Sequence, residues 1–377
     1  MSRQATYIFA GGGTGGHLYP AVALATRIKE LQPECRILFI GTSRGIENRI
    51  VPELGFPLSR IAVRGIVRSF TLKNLLAPFA LLWSFLQCTA LLLKIKPTAV
   101  IGTGGYVSGP VLCVASILNF PTIIQEQNSY PGATTRLLAN FVDRVHLSFE
   151  ESKKYIKKKE KLIVSGNPVR QFDLSQNKST VRKKLGLAAD APTLLITGGS
   201  QGAHAINQVV LNSLDQLMAE TPLQLIWSTG AADVAIVRER TASIGGRVLV
   251  SAYFSDMEEV LIAADLILAR AGALSLAEIT LCGLPSILIP YPYAAANHQE
   301  TNALALQKIG AALVLQQSQF STALLMKTLN ELLSNPEKVE SMQAAAKKAA
   351  FPNATNEIVE SIFDLVKFKQ TGEHHES

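Results

Sequence analysis

TYIFAGGGTGGHLYPAVALATRIKELQPECRILFIG, residues 6–41, decides the fold class. A short apolar run, TYIFA, leads into a glycine-rich loop, then a helix-like stretch, then a second short apolar run, RILFI. Strand, tight turn, helix and strand in that order form a βαβ unit, which makes neighbouring strands parallel. The rhythm continues through TAVIG (98–102), PTIIQ (121–125) and DRVHL (143–147). It then restarts at TLLIT (193–197), LQLIWS (223–228), RVLV (247–250), DLILA (265–269) and PSILIP (285–290). Two similar α/β domains are therefore expected. The turn and polar stretch LIVSGNPVRQFDLSQNKS, 162–179, marks the boundary between them. The expected domains are 1–165 and 166–350, with 351–377 a closing helix and frayed tail.

A chain of 377 residues exceeds what one core usually fills. With 48% hydrophobic and 17% charged residues it is globular rather than disordered. The net charge of +7 raises the expectation of an anionic partner: nucleic acid, anionic lipid or a phosphorylated substrate. Cysteines 35, 88, 113 and 282 form no CxxC pair and no metal-ligand spacing with histidine, so they read as reduced core residues of a cytosolic protein. The opening MSRQATYIFAGGG has too short an apolar run for a secretory signal.

Leu75–Leu93 contains only Ser84, Gln87 and Thr89 as polar residues. Its length would allow a membrane span. Because Lys94, Lys96 and a strand follow at once, it reads instead as a crossover helix, packed or partly membrane-facing. The lysines at 153, 154, 157, 158, 159 and 161 read as a solvated face.

Three glycine loops each follow a strand: 11–16, GTGGYVSGP (102–110) and TGGSQGAHAIN (197–207). Such loops bring backbone N–H groups close to an anion at the positive end of a helix. Gly11, Gly13 and Gly16 also satisfy G-x-G-x-x-G, so a dinucleotide enzyme is the natural rival. That fingerprint wants an acid at the end of the second strand, where Gly41-Thr42-Ser43-Arg44 has none; Arg44 would suit only an NADP 2′-phosphate. Three such loops in one chain favour a nucleotide-diphosphate donor over both the rival and simple sheet-to-helix turns.

RAGALSLAEITLCGLP, 270–285, holds one acid, Glu278, in an otherwise apolar helix. It either pairs with Arg270 or accepts both hydrogen bonds of a ribose diol. There is no D-x-D and no carboxylate or histidine cluster at metal-ligand spacing, so no metal is implied. His17 alone among the six histidines sits directly in a phosphate-type loop, where it either packs against the turn or takes part in chemistry.

In order and spacing, GGGTGGHLYPAVALA, GTGGYVSGP, QEQNSYPGATTR, SGNPVR, ITGGSQGAHAIN, RAGALSLAEI and NHQETNA closely resemble the MurG family of bacterial glycosyltransferases, over about residues 6–350. The resemblance implies a GT-B fold, two Rossmann-like domains with parallel sheets facing across a cleft. It implies inverting, metal-independent transfer of N-acetylglucosamine from UDP-GlcNAc to the 4-hydroxyl of undecaprenyl-pyrophosphoryl-MurNAc-pentapeptide, giving a β-1,4 bond in peptidoglycan synthesis. No cofactor and no nucleic acid partner are implied.

Carried over by motif, the donor site would use Thr14, Gly15, Gly16, Asn128, Arg170, Ser200, Phe254, Ala273, Leu274, Ser275, Leu276, Ala277, Glu278 and Gln299. Glu278 would bind ribose, Phe254 uracil, Ser200 and its loop the diphosphate, and Asn128 and Gln299 the sugar. Gly104, Gly105, Tyr106 and Ser108 would approach the acceptor's diphosphate. His17 and Glu126 are the candidate bases. The family's third motif begins His-Glu-Gln-Asn, whereas here Gln125 precedes Glu126, and an amide cannot serve as a base. A lipid acceptor also gives Leu75–Leu93, Arg60, Arg64, Arg68 and Lys73 a role in docking on an anionic membrane surface, at the cytoplasmic face of the plasma membrane.

Overall fold

The computed structural model describes residues 4–63, 77–170 and 172–372. The described residues up to Arg170, together with those from Asn353 onward, form one compact unit, and those between form a second.

In the first unit the chain runs β1 (Thr6–Ala10), α1 (Gly15–Leu31), β2 (Arg36–Gly41), α2 (Glu47–Glu53), β3 (Leu58–Arg60), α3 (Ala77–Ile95), β4 (Ala99–Gly102), α4 (Gly105–Ile117), β5 (Thr122–Glu126), α5 (Ala133–Leu138), β6 (Arg144–Leu147) and β7 (Leu162–Val164). The strands form one parallel sheet in the order β3-β2-β1-β4-β5-β6-β7. Residues of β1, β4 and β5 are buried, as continuous apolar strands covered on both faces must be. The order reverses between β1 and β4. At such a reversal the following loops diverge to opposite faces and leave a crevice at the strands' carboxyl ends.

The second unit contains α6 (Lys178–Lys184), β8 (Thr193–Thr197), α7 (His204–Glu220), β9 (Gln224–Ser228), α8 (Val234–Thr241), β10 (Val248–Ser251), α9 (Met257–Ala263), β11 (Leu266–Ala269), α10 (Ala273–Leu281), β12 (Ser286–Leu288), α11 (His298–Lys308), β13 (Ala312–Val314), α12 (Thr322–Leu333) and α13 (Pro336–Lys348). Its parallel sheet is ordered β10-β9-β8-β11-β12-β13, reversing between β8 and β11. Asn335 caps α13 by accepting from the Lys338 N–H, and Pro336 takes the first helical position, where no N–H is missed.

The last helix, α14 (Ala354–Thr371), belongs with the first unit and lies on α1. Ile358, Ile362 and Leu365, with Val359 and Val366, make one apolar stripe against Tyr7, Phe9, Leu24 and Ile28. Burying each such aliphatic side chain contributes roughly 1.5–3 kcal/mol, more than propensity alone gives a helix of this length. His146 adds a polar tie: Nδ1 lies 3.0 Å from Ser165 Oγ and Nε2 lies 2.9 Å from Ser361 Oγ.

The ten strands read from sequence are all present within one or two residues at either end; β3 (LSR) and β13 (ALV) lack a distinct apolar, β-branched run and were not read. Among the described residues no helix is long and apolar enough to cross a membrane. In α3, Ser84, Cys88 and Leu92 face inward at helical spacing, and Leu82, Trp83, Leu86 and Leu93 are exposed. Leu75, Arg64, Arg68 and Lys73 lie outside the described residues. All four cysteines are free thiols, and burial pushes those of Cys88 and Cys282 up to about 12.

Candidate active site

In the first unit the loops after β1 and β4 meet at the reversal point, and they meet on His17. It stands in the first turn of α1, half-buried, with Thr14 as N-cap and Gly15 and Gly16 ahead of it. Its Nδ1 lies 3.1 Å from the Thr103 carbonyl oxygen and 3.0 Å from Gln127 Oε1. The Thr103 hydroxyl donates to the His17 carbonyl at 2.6 Å. Gly104 (φ +96°) has to be glycine: a Cβ there would sit 2.8 Å from His17 Nδ1. Gly105 opens α4, and Tyr106 reaches back so that its hydroxyl lies 3.5 Å from Thr42 Oγ1.

Ser108, expected at the acceptor, and Glu126, a candidate base, both make internal hydrogen bonds. Ser108 is fully buried, its Oγ 2.6 Å from the carbonyls of both Ala10 and Gly104, so it stitches β1 to the second glycine loop. Glu126 is buried, with Oε1 accepting from the N–H and side-chain amide of Asn128 at 3.0 and 3.3 Å and Oε2 accepting from the Gly132 N–H at 3.0 Å. The geometry makes Glu126 the organiser of the 126–132 loop, and it positions Asn128.

Glu47 was missed from sequence. It has no exposed surface; Oε2 accepts from the Gly13 N–H at 2.9 Å and Oε1 from the N–H and hydroxyl of Thr42 at 2.9 and 3.1 Å. An internal carboxylate thus occupies a donor that a bound phosphate would need. That counts against this loop as a pyrophosphate cradle and against the NADP alternative. The one available signal was an acid opening a helix just after the Gly41–Gly45 turn. It went unread because a ribose-binding acid would stand earlier.

In the second unit the reversal brings the 198–203 loop beside 270–272, where the Arg270 N–H reaches the Thr197 carbonyl. Gly202 (φ +75°) and Gly230 (φ +81°) press backbone on backbone: a Cβ on Gly202 would lie 2.2 Å from the Thr229 oxygen. With that base locked, Ser200 and Gln201 stand exposed above the start of α7. Free N–H groups there favour an anion. His204 begins α7 with Nδ1 2.8 Å from Asp233 Oδ1, and Asp233 Oδ2 accepts from Asn207 at 2.7 Å. Burial works to raise the Asp233 pKa, but the hydrogen bonds from Asn207 and His204 outweigh it and hold the carboxyl below its usual range.

Residues 273–278 form the first turns of α10. Ala273 and Leu276 enter the core, while Leu274, Ser275, Ala277 and Glu278 are part-exposed. The Arg270 guanidinium donates to the carbonyls of Ile289 and Pro290 at 3.0 and 3.2 Å and to Gln317 Oε1 at 2.6 Å. Gln299, in the first turn of α11, accepts from the Tyr291 N–H at 3.0 Å. Phe254 is half-buried in the loop after β10, and Arg170 is exposed as the last described residue before the second unit. Among the described residues no His, Cys, Asp and Glu side chains gather as a metal site.

The N-terminal domain model of glycosyltransferase family 28 matches residues 7–147, and its C-terminal domain model matches residues 193–358. The UDP-N-acetylglucosamine–N-acetylmuramyl-(pentapeptide) pyrophosphoryl-undecaprenol N-acetylglucosamine transferase of Acetivibrio thermocellus is 41% identical over 366 residues, covering 97% of this chain and 99% of that protein. The enzyme of the same name from Chlorobaculum parvum is 43% identical, covering 96% and 99%. The chain belongs to the MurG family. The crystal structure of Acinetobacter baumannii MurG is similar too, with a TM-score of 0.78 and 30% identity over 96% of this chain and 99% of that one. MurG-family membership makes the protein a glycosyltransferase of the GT-B fold class, with two Rossmann-like domains, and sets the oxidoreductase alternative aside. Within that family motif, Gln125 is buried among Ser148, Asn167 and Gln127.

Proposed function

We propose that the chain transfers N-acetylglucosamine from UDP-GlcNAc to the 4-hydroxyl of undecaprenyl-pyrophosphoryl-MurNAc-pentapeptide, converting lipid I to lipid II, with His17 as general base. The observation that carries this is the commitment of His17 Nδ1 to two oxygen acceptors, which leaves the Nε2 lone pair for a proton. The acceptor hydroxyl attacks the anomeric carbon, its proton passes to Nε2, and UDP leaves from the opposite face, so the configuration inverts. Glu126, whose carboxylate already holds three N–H donors, positions Asn128 toward the sugar.

In the second unit Glu278 takes the ribose hydroxyls, Phe254 the uracil, and Gln299 the sugar. The 198–203 amides with Ser200 take the departing diphosphate, a preorganised electrostatic role. Arg170 adds a cation, and residues 273–277 line the nucleotide. Thr14, Gly15 and Gly16 face the sugar, while Gly104, Gly105 and Tyr106 face the acceptor's diphosphate. The apolar residues exposed on α3, with Ile117, Leu137 and Phe141, rest on an anionic membrane at the cytoplasmic face of the plasma membrane.

Turnover of UDP-GlcNAc with lipid-linked acceptor tests the reading. UDP-GlcNAc should raise the melting temperature of wild type and of His17→Ala alike, by mass action on the native state. His17→Ala should lose roughly 10²–10⁴-fold in kcat. Full activity in that variant removes His17 as base, and the absence of turnover in wild type removes the reaction.

A further inference from the structure

A chain of buried amides runs behind His17. Gln127 Nε2 faces three acceptors: the Thr103 carbonyl at 2.9 Å, the Gln125 carbonyl at 3.0 Å and Gln125 Oε1 at 2.5 Å. The opposite amide orientation would put an oxygen against three oxygens, so Gln127 Oε1 is fixed toward the imidazole. Neither oxygen that His17 Nδ1 meets, on Thr103 or Gln127, has a hydrogen to give; Nδ1 must carry the proton. Gln125 is oriented in turn by donating to Ser148 Oγ and Asn167 Oδ1, each at 3.1 Å, and Asn167 donates back to the Gln127 carbonyl at 3.1 Å. Gln125, Gln127 and Asn167 are all at least nine-tenths buried, so none of these amides can exchange a partner for water without moving the loop.

We propose that Gln127 is the positioning residue of the transfer reaction: with the Thr103 carbonyl it holds His17 in the Nδ1–H tautomer and aims Nε2 toward the acceptor hydroxyl, and Gln125 fixes Gln127. The proposal rests on His17 being the base. A neutral amide in this place differs chemically from a carboxylate. It specifies tautomer and ring direction but gives the imidazolium no opposite charge.

The direct test is the ¹H–¹⁵N spectrum of histidine-labelled wild type above pH 7.5, with His17 assigned by its loss in His17→Ala. The expected pattern is Nδ1 protonated and Nε2 bare; an Nε2–H tautomer overturns the proposal without any positioning variant having to fold. Gln127→Met removes one of the two acceptors at similar size and leaves the Thr103 carbonyl, so Nδ1–H should persist on a ring less firmly aimed, with kcat falling about tenfold or more and KM for UDP-GlcNAc within about twofold of wild type. Gln127→Glu should move the acid limb of the kcat/KM profile upward by about one pH unit, as an opposite charge beside an imidazole does. A residue that merely packs would lower stability in both variants and leave kcat of Gln127→Met at the wild-type value, which refutes the proposal. Turnover retained in His17→Ala would refute the base assignment instead, and the wild-type tautomer would still report on Gln127.

Discussion

His146 ties the last helix to the first sheet, and its protonation should loosen that tie. Ser361 Oγ accepts from Arg144 Nη1 at 2.9 Å, so its own hydrogen goes to His146 Nε2, and Nδ1–H donates to Ser165 Oγ. Burial, and after it the Arg144 charge, lower the His146 pKa from 6.5 to about 4. The sign follows from proton counts. Between these values the unfolded or detached state binds a proton that the native state refuses, so stability is full above about pH 6.5 and falls as pH drops toward about 4. The whole gap, at about 1.4 kcal/mol per pH unit, amounts to about 3 kcal/mol, and the part reached by pH 5 to about 2 kcal/mol. His146→Gln stays neutral and lacks this term. Hydrogen–deuterium exchange of the 354–371 peptide, corrected for intrinsic rates, should therefore show wild type losing about 2 kcal/mol more protection than the variant between pH 7.5 and pH 5. Equal losses in the two proteins would refute the reasoning.

Glu47→Ala strands the Gly13 and Thr42 N–H groups in a buried site, at a cost of roughly 1–3 kcal/mol each. Calorimetry should show a melting temperature lowered by roughly 5–15 °C, and a change below about one degree would mean that water satisfies both groups. Flotation with anionic vesicles should separate wild type from a triple variant with Leu82, Trp83 and Leu86 made polar. These residues are exposed, whereas the neighbouring Phe85 packs against the core. Equal recovery of both proteins with the vesicles would discard the docking role of α3.

Most of the scaffold was legible in sequence because its signals are short-range. A buried parallel strand announces itself as a run of apolar residues, and a phosphate-type turn as glycines between strand and helix. TYIFAGGGTGGH supplied both within twelve residues, and the family motifs followed from their order along the chain. The strand β3, LSR, with one apolar residue, fell below that signal. What tertiary structure decided was the commitment of polar groups, because a carboxylate or amide reads alike in sequence whether it faces a ligand or a backbone N–H. Glu47 finds Gly13 across 34 positions, His17 finds Gln127 across 110, and His146 finds Ser361 across 215. Ser108, expected at the acceptor, and Glu126, a candidate base, also take partners from within, and sequence shows neither set. No local pattern encodes such pairings: they follow from which loops the strand order brings together, and from the cost of leaving any buried polar group without a partner.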